Sequence, residues 1–226
     1  MTITHYGHSC FGIDYNNTRL LFDPFITPNA LAEDIDVEKI EADFILVSHG
    51  HFDHIADLVS IAKRTGAKVI CNYEIFNWLG KQGVENVHPM NHGGAVRQPF
   101  GKVKLVNAVH SSSLDDGTYL GNPGGFVIEF GDLCIYYAGD TALTYDMKLI
   151  PREFKINWAF FPIGDNFTMG ADDAIIAADF VETKNIIGMH YNTFPPITID
   201  MEQAKDKFTQ AGLNLRLMKI GESIEL

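Results

Sequence analysis

Short apolar runs broken by polar turns fill the first quarter of this chain, and helical periodicity enters only beyond it. Met1–His5, Cys10–Tyr15 and Arg19–Phe22 read as short strands, with Asn16-Asn17 as the turn between the last two. Phe44-Ile45-Leu46-Val47 is a buried strand by its unbroken apolar character, and Ile55 to Ala62 reads as the helix that follows. That helix ends near Gly66, Ala67–Cys71 is another strand, and Asn72–Lys81 is helical with Gly83 just beyond it. Lys102–Val109 is a strand running into His110. In the second half, Gly125–Phe130 and Leu133–Ala138 form a hairpin around Gly131-Asp132. Asp146–Phe154 reads as a helix with a proline inside its start, Trp158–Ile163 as a buried strand, and Ala171–Glu182 as an amphipathic helix. Asn185–Met189 is the strand leading to His190, Asp200–Ala211 the last helix, and Leu213–Leu226 closing strand material. Strands first, then mixed strand and helix with no long linker, suit one α/β sandwich. It would have two mixed sheets face to face and helices on the outer faces, as a single domain over residues 1–226.

Composition narrows the class. The chain has 226 residues, 46% of them hydrophobic and 20% charged, as in ordinary soluble globular proteins. No apolar run is long enough to cross a bilayer, and the N-terminus lacks the basic start and apolar stretch of a signal peptide, so a cytoplasmic location is expected. Cys10, Cys71 and Cys134 are scattered in apolar stretches and form no Cys-x-x-Cys pair, which reads as buried thiols in a reducing compartment. The formal net charge is −12 with no block of Lys and Arg, which disfavours nucleic-acid binding. A small-molecule substrate is the expected partner, and neither nucleic acid nor membrane is. The oligomeric state is open.

The chemistry is concentrated in Ser48-His49-Gly50-His51-Phe52-Asp53-His54, directly after the buried run. Neutral imidazole and ionised carboxylate are good donors for borderline divalent metals. His49 and His51 alternate, so in an extended segment they point the same way. Asp53 and His54 are adjacent and diverge, so the loop can feed two neighbouring metals. His110, Asp140 and His190 each follow an apolar run and precede a loop, as His49 does.

The His-x-His-x-Asp-His pattern resembles that of the metallo-β-lactamase superfamily, whose fold is a four-layer αββα sandwich of two mixed sheets. The resemblance covers nearly the whole chain. It implies that His49, His51 and His110 hold one metal, that Asp53, His54 and His190 hold the other, and that Asp140 bridges them. It also implies two structurally similar halves meeting near residues 111–124. Gly7-His8-Ser9, Leu21-Phe22-Asp23-Pro24-Phe25, Gly164-Asp165-Asn166-Phe167-Thr168-Met169-Gly170 and Met189-His190-Tyr191-Asn192-Thr193-Phe194-Pro195 look like the small single-domain hydrolases related to L-ascorbate-6-phosphate lactonase. No sugar-phosphate anchor is recognisable.

The activity implied is hydrolysis of an ester, lactone, amide or phosphodiester bond in a small substrate, an anion being one option, by a hydroxide held between two divalent metals. Zn²⁺ suits the nitrogen and oxygen donors best, with Mn²⁺ and iron open. Asp53 or Asp140 can help move the proton. His8 can contact substrate or protonate a leaving group. Asp23, after a strand and before Pro24, suits the acceptor of a ligating imidazole's N–H. Asn192 and Thr193 can reach substrate, His92 reads as a surface or structural residue with approach to a pocket as the alternative, and Phe25, Ile26 and Phe194 are candidates for a pocket lip or interface. Thr168-Met169-Gly170 caps the Ala171 helix, whose Asp172 and Asp173 oppose anion binding there. Gly-x-Ser-x-Gly is absent, so Ser111–Ser113 are no nucleophile elbow. Two other classes remain open: a di-iron oxidoreductase on the same fold, disfavoured by His51 where such proteins tend to carry a carboxylate, and a non-catalytic metal-binding module, disfavoured because all seven ligand positions are filled.

Overall fold

The computed structural model describes residues 1–226. The chain forms two compact units. Unit 1 is Met1–Asn91, Ser111–Pro123 and Lys219–Leu226, and unit 2 is His92–His110 and Gly124–Met218. The sequence boundary expected near 111–124 is one place where the chain passes from unit to unit. The final strand returning to unit 1 is a feature that composition and periodicity did not signal.

Unit 1 holds a seven-stranded mixed sheet of β1 (Thr2–Gly7), β2 (Cys10–Tyr15), β3 (Thr18–Phe22), β4 (Phe44–Leu46), β5 (Lys68–Asn72), β6 (Val87–Met90) and β14 (Ser223–Glu225), in the order β14-β1-β2-β3-β4-β5-β6. The first three pairings are antiparallel and the last three parallel. The β2–β3 hairpin turns on Asn16 and Asn17, both at positive φ (48° and 62°), a conformation asparagine tolerates better than most side chains. Helices α1 (Phe52–Ile55), α2 (Leu58–Thr65) and α3 (Tyr73–Lys81) complete the unit. Leu58, Ile61, Ile75 and Leu79 from the helices join Leu21, Ile45, Val47, Val69 and Cys71 of the sheet in one core. The alternate positions Leu46 and Ile70 are buried as well, so β4 and β5 read as continuous apolar runs.

The single helix expected over Ile55–Ala62 is instead two, broken at Ala56-Asp57. The cause is tertiary: the Asp57 carboxylate accepts the N–H groups of Ile26 and Thr27 at 2.6 and 2.9 Å, while its own N–H goes to the Pro24 carbonyl. The same contacts pull Phe25 and Ile26 inside, each 1% exposed, so neither lines a lip or interface.

Unit 2 holds a second seven-stranded mixed sheet of β7 (Ala95–Gln98), β8 (Gly101–Asn107), β9 (Gly124–Phe130), β10 (Leu133–Tyr137), β11 (Trp158–Pro162), β12 (Asn185–Met189) and β13 (Asn214–Arg216). In that order its pairings run antiparallel three times, then parallel three times, the same sequence as in unit 1. The internal repeat is therefore one of topology. Helices α4 (Ala171–Phe180) and α5 (Met201–Gln210) bury Ala174, Ala177, Ala178 and Phe208. The helix expected over Asp146–Phe154 is a 3-10 segment, Tyr145–Arg152, with Pro151 near its end rather than its start. Gly170 holds the N-cap position of α4, without a side-chain cap.

Topology fixes where each unit gathers polar residues. In unit 1, β1 and β3 run the same way, with β4 and β5 parallel to β3. The turn after β1 and the ends of β3 and β4 therefore lie along one edge, and they carry His8, Asp23 and Ser48-His49. In unit 2, β8, β10, β11 and β12 do the same for the segments carrying His110, Asp140, Gly164 and His190. The carboxyl edge of parallel strands is where open α/β sheets present reactive groups.

Candidate metal centre

In unit 1 the site is built outward from Asp23. Its Oδ1 accepts the Ser48 N–H at 2.7 Å, and its Oδ2 accepts the Ser48 hydroxyl at 2.5 Å and faces His54 Nδ1 at 2.8 Å. Asp23 is fully buried and sits at φ 41°, a strained position for a non-glycine residue that these bonds hold in place. Ser48 has one hydroxyl proton and gives it to Asp23, so it accepts from His49 Nδ1 at 2.9 Å. Both imidazoles therefore carry their proton on Nδ1 and present a lone pair on Nε2. This is how outer carboxylates and hydroxyls orient metal-ligating histidines. Asp23, His49 and His54 offer ligand atoms within 4.8 Å of one another. Ser48, between an apolar run and His49, is a site residue that sequence reasoning passed over, because a lone serine carries no signal of its own.

His49 Nε2 lies 3.0 Å from His51 Nδ1, and His51 Nε2 lies 3.2 Å from the Ser111 hydroxyl. Gly50 between them has no room for a side chain: a Cβ would stand 2.4 Å from Leu120 Cδ1. Its N–H is held at 3.0 Å by Ser112 Oγ, which itself donates to the Leu120 carbonyl. Ser111 and Ser112 are thus braces of the histidine loop, in keeping with the absence of a nucleophile elbow. His51 is the N-cap position of α1, so Asp53 and His54 fall in its first turn and diverge. Asp53 Oδ2 lies 3.0 Å from His8 Nε2 and 3.8 Å from His54 Nε2. His8, 3% exposed and at φ 55°, packs edge-on against Phe25 and His54.

In unit 2, Asp140 is 2% exposed, and its Oδ2 lies 2.9 Å from His190 Nε2 and 3.5 Å from His110 Nε2. The loop after β8 is clasped to the loop after β10: Val109 N–H donates to Thr141 Oγ1, and Ala142 N–H to the Val109 carbonyl. That clasp sets His110 against Asp140. His190 sits at φ 55°, and Gly164 at the end of β11 lets its carbonyl approach, since a Cβ at 164 would lie 2.1 Å from that oxygen. Asn192, suggested above as a substrate contact, spends its Oδ1 on the Ile199 N–H and its own N–H on the Ile197 carbonyl, so it fastens the loop. The Thr193 hydroxyl donates to the Tyr191 carbonyl at 3.4 Å.

The three cysteines are buried and without disulfides, and Cys10 begins β2 two residues after His8. Burial pushes all three thiols up, Cys134 to about 12, so none is poised as a thiolate. No helix is long and apolar enough to cross a membrane.

The two-sheet fold is matched among known proteins. A family model described as a beta-lactamase superfamily domain matches residues 2–190. Among solved structures, the chain is similar to Igni18, a metallo hydrolase from the hyperthermophilic archaeon Ignicoccus hospitalis. The TM-score is 0.89 and the identity 32%, covering 99% of this chain and 97% of that one. The chain belongs to the metallo-β-lactamase superfamily and has its α/β fold. More narrowly, it is 56% identical to a UPF0173 metal-dependent hydrolase of Christiangramia forsetii and 54% identical to one of Flavobacterium johnsoniae, in each case over all of both chains. It is a member of that family.

Proposed function

We propose that this chain is a metal-dependent hydrolase acting on a small substrate with an ester, lactone, amide or phosphodiester bond, and that His49, His51, Asp53, His54, His110, Asp140 and His190 hold its metal. The observation that carries the reading is the pairing within each unit: Asp53 Oδ2 and Asp140 Oδ2 each stand 2.9–3.8 Å from two imidazole Nε2 atoms. The donor chemistry fits a cation. If His51 gives its Nε2 proton to Ser111, lone pairs on His49 Nε2 and His51 Nδ1 face each other at 3.0 Å, a repulsion that a shared cation relieves. A bound pair of divalent ions, most simply Zn²⁺, supplies Lewis acidity and a water acidic enough to ionise at neutral pH.

The chain's own residues do the rest. Asp23 and Ser48 fix the ring tautomers, so neither histidine needs to shed a proton at the site before coordinating. His8, hydrogen-bonded to Asp53, is proposed as the group that protonates the leaving atom.

The test is elemental analysis of protein purified without chelator, followed by turnover of an ester and phosphodiester panel before and after chelation. About two equivalents of zinc or manganese, with activity lost on chelation and regained on metal addition, is the expected result. Asp140→Ala should lower turnover by at least two orders of magnitude. Full turnover in chelated, metal-poor protein would overturn the proposal, and two equivalents of redox-active iron would favour oxidoreductase chemistry instead.

A further inference from the structure

Unit 2 carries an apolar strip on its surface that the fold leaves uncovered. The 3-10 segment Tyr145–Arg152 buries Met147 and Ile150 and turns Tyr145 and Leu149 outward, 75% and 67% exposed. Helix α4 buries Ala174, Ala177 and Ala178, yet Ile176 is 44% exposed. Phe180 follows Ile176 by four residues, so the two lie on one side of the helix. The Phe180 ring stands 5.5 Å from that of Tyr145, which joins the two elements into one face. Contiguous exposed apolar side chains of this kind mark a surface that meets another molecule.

The charges beside the strip select its partner. A groove runs between the 3-10 segment and the end of α4. One wall carries Lys148 and Arg152, the other Asp179 and Glu182, with Pro151 and Phe180 among them. All four charged residues are exposed. The Lys148 ammonium lies over the Phe180 and Tyr145 rings, 4.2 and 4.8 Å from their centroids, and no ion pair closes across the groove. A polyanion would be drawn to one wall and repelled by the other, and a polycation likewise. A second copy of the same face suits both walls. In a two-fold dimer, every contact of residue i with residue j is matched by one of j with i. A two-fold axis along the groove turns Lys148 and Arg152 of each copy toward Asp179 and Glu182 of the other. An axis across the groove would set like charges together. The favourable rotation also turns Tyr145 and Leu149 toward the α4 side of the second copy, where Ile176 lies.

We propose that this face of unit 2 is a self-complementary interface through which two copies of the chain associate, the Lys148 and Arg152 wall of each against the Asp179 and Glu182 wall of the other. The interface is independent of the hydrolase reading and stands or falls separately from it.

The experiment is sedimentation velocity on the full chain, whose monomer is 25.2 kDa, over a concentration series. The expected result is a reversible dimer with a Kd on the order of 10 µM or tighter. Two charge-reversed variants locate the interface. Lys148→Glu with Arg152→Glu makes both walls acidic, and Asp179→Lys with Glu182→Lys makes both basic. Each alone should raise the Kd at least about tenfold, since every reversed pair occurs twice in the dimer. Mixed in equal amounts, the two should form a heterodimer with a Kd within about threefold of wild type, because opposite walls meet again. Tyr145→Ala leaves all the charges in place and should weaken the dimer about tenfold. A chain that stays monomeric up to about 200 µM overturns the proposal. So does a dimer that none of these substitutions weakens, which would place the interface elsewhere. Reversed variants that keep the wild-type circular dichroism spectrum but do not pair when mixed would overturn it as well.

Discussion

Asp23 holds three groups with two oxygens, and that geometry makes it the most informative single position in unit 1. Asp23→Asn removes the charge and replaces one acceptor oxygen with an N–H donor, so Ser48 Oγ and His54 Nδ1 lose their common partner. Metal affinity should fall about 10- to 100-fold, read by competition with a zinc chelator, while the circular dichroism spectrum stays native. Unchanged affinity would mean that the tautomers are set some other way. Gly50 makes a steric prediction. Gly50→Ala drives a methyl group into Leu120 and should destabilise the protein by about 1–3 kcal/mol in urea melts, displacing His49 and His51 together. Leu120→Ala in the same chain should recover part of that loss, and no recovery would point away from the clash.

Elements depend on a few anchors. α5 is mostly polar and meets its unit through Ala204 and the fully buried Phe208, so Phe208→Ala should cost about 3–5 kcal/mol. A value under about 1 kcal/mol would show that α5 is held by its N-cap, Asp200, instead. The start of β4 is tied to β3 by Arg19, whose Nε and Nη2 reach Asp43 at 3.1 and 2.9 Å, with the Arg19 N–H on the same carboxylate. The Arg19 hydrogen bond holds the Asp43 carboxyl below the usual aspartate range. Because the folded-state pKa is the lower one, the stabilisation is complete above the unfolded value of about 4 and disappears as pH falls through the folded value. The pair is partly solvated, so Asp43→Asn should cost only about 1 kcal/mol at pH 7, with wild type and variant converging once the pH falls below the folded value. Parallel pH–stability curves for the two proteins would contradict the linkage.

Legibility also differed by element. The strands β2 and β12 and the hairpin of β9 and β10 could be placed from apolar runs and turn residues, since local sterics and burial act in the same direction there. The break between α1 and α2 could not, because its cause is Asp57 binding backbone some thirty residues earlier in the chain. Strands β6 and β7 also escaped notice. Val87–Met90 is only half-buried, and Ala95–Gln98 is an exposed edge, so neither shows a clean apolar pattern.

For the whole molecule, the hydrolase reading predicts that metal and fold are linked. A ligand bound only by the native state stabilises it by about 4 kcal/mol at a thousandfold excess over Kd. Chelation should then lower the thermal midpoint by about 10 °C for a chain of this size, reversibly on adding zinc. Identical melting curves with and without chelator would argue that the histidines and carboxylates need no cation.

The sequence by itself brought out the candidate donors, because metal chemistry restricts which side chains suffice and imidazoles and carboxylates placed after apolar runs are visible in one dimension. It also determined the α/β class, through strand and helix periodicities that need no partner to be read. Asp23 as acceptor of an imidazole N–H was legible from its place after a strand, but only the tertiary structure decided the rest of the support: Ser48 joining Asp23 and His49, Leu120 requiring Gly50, and Thr141 clasping the loop of His110. Each of these depends on groups distant in sequence meeting at hydrogen-bond or van der Waals range. Such meetings leave no periodic mark on the chain, because a serine that orients a histidine and a serine in a turn have the same letter and differ only in what the fold brings to them.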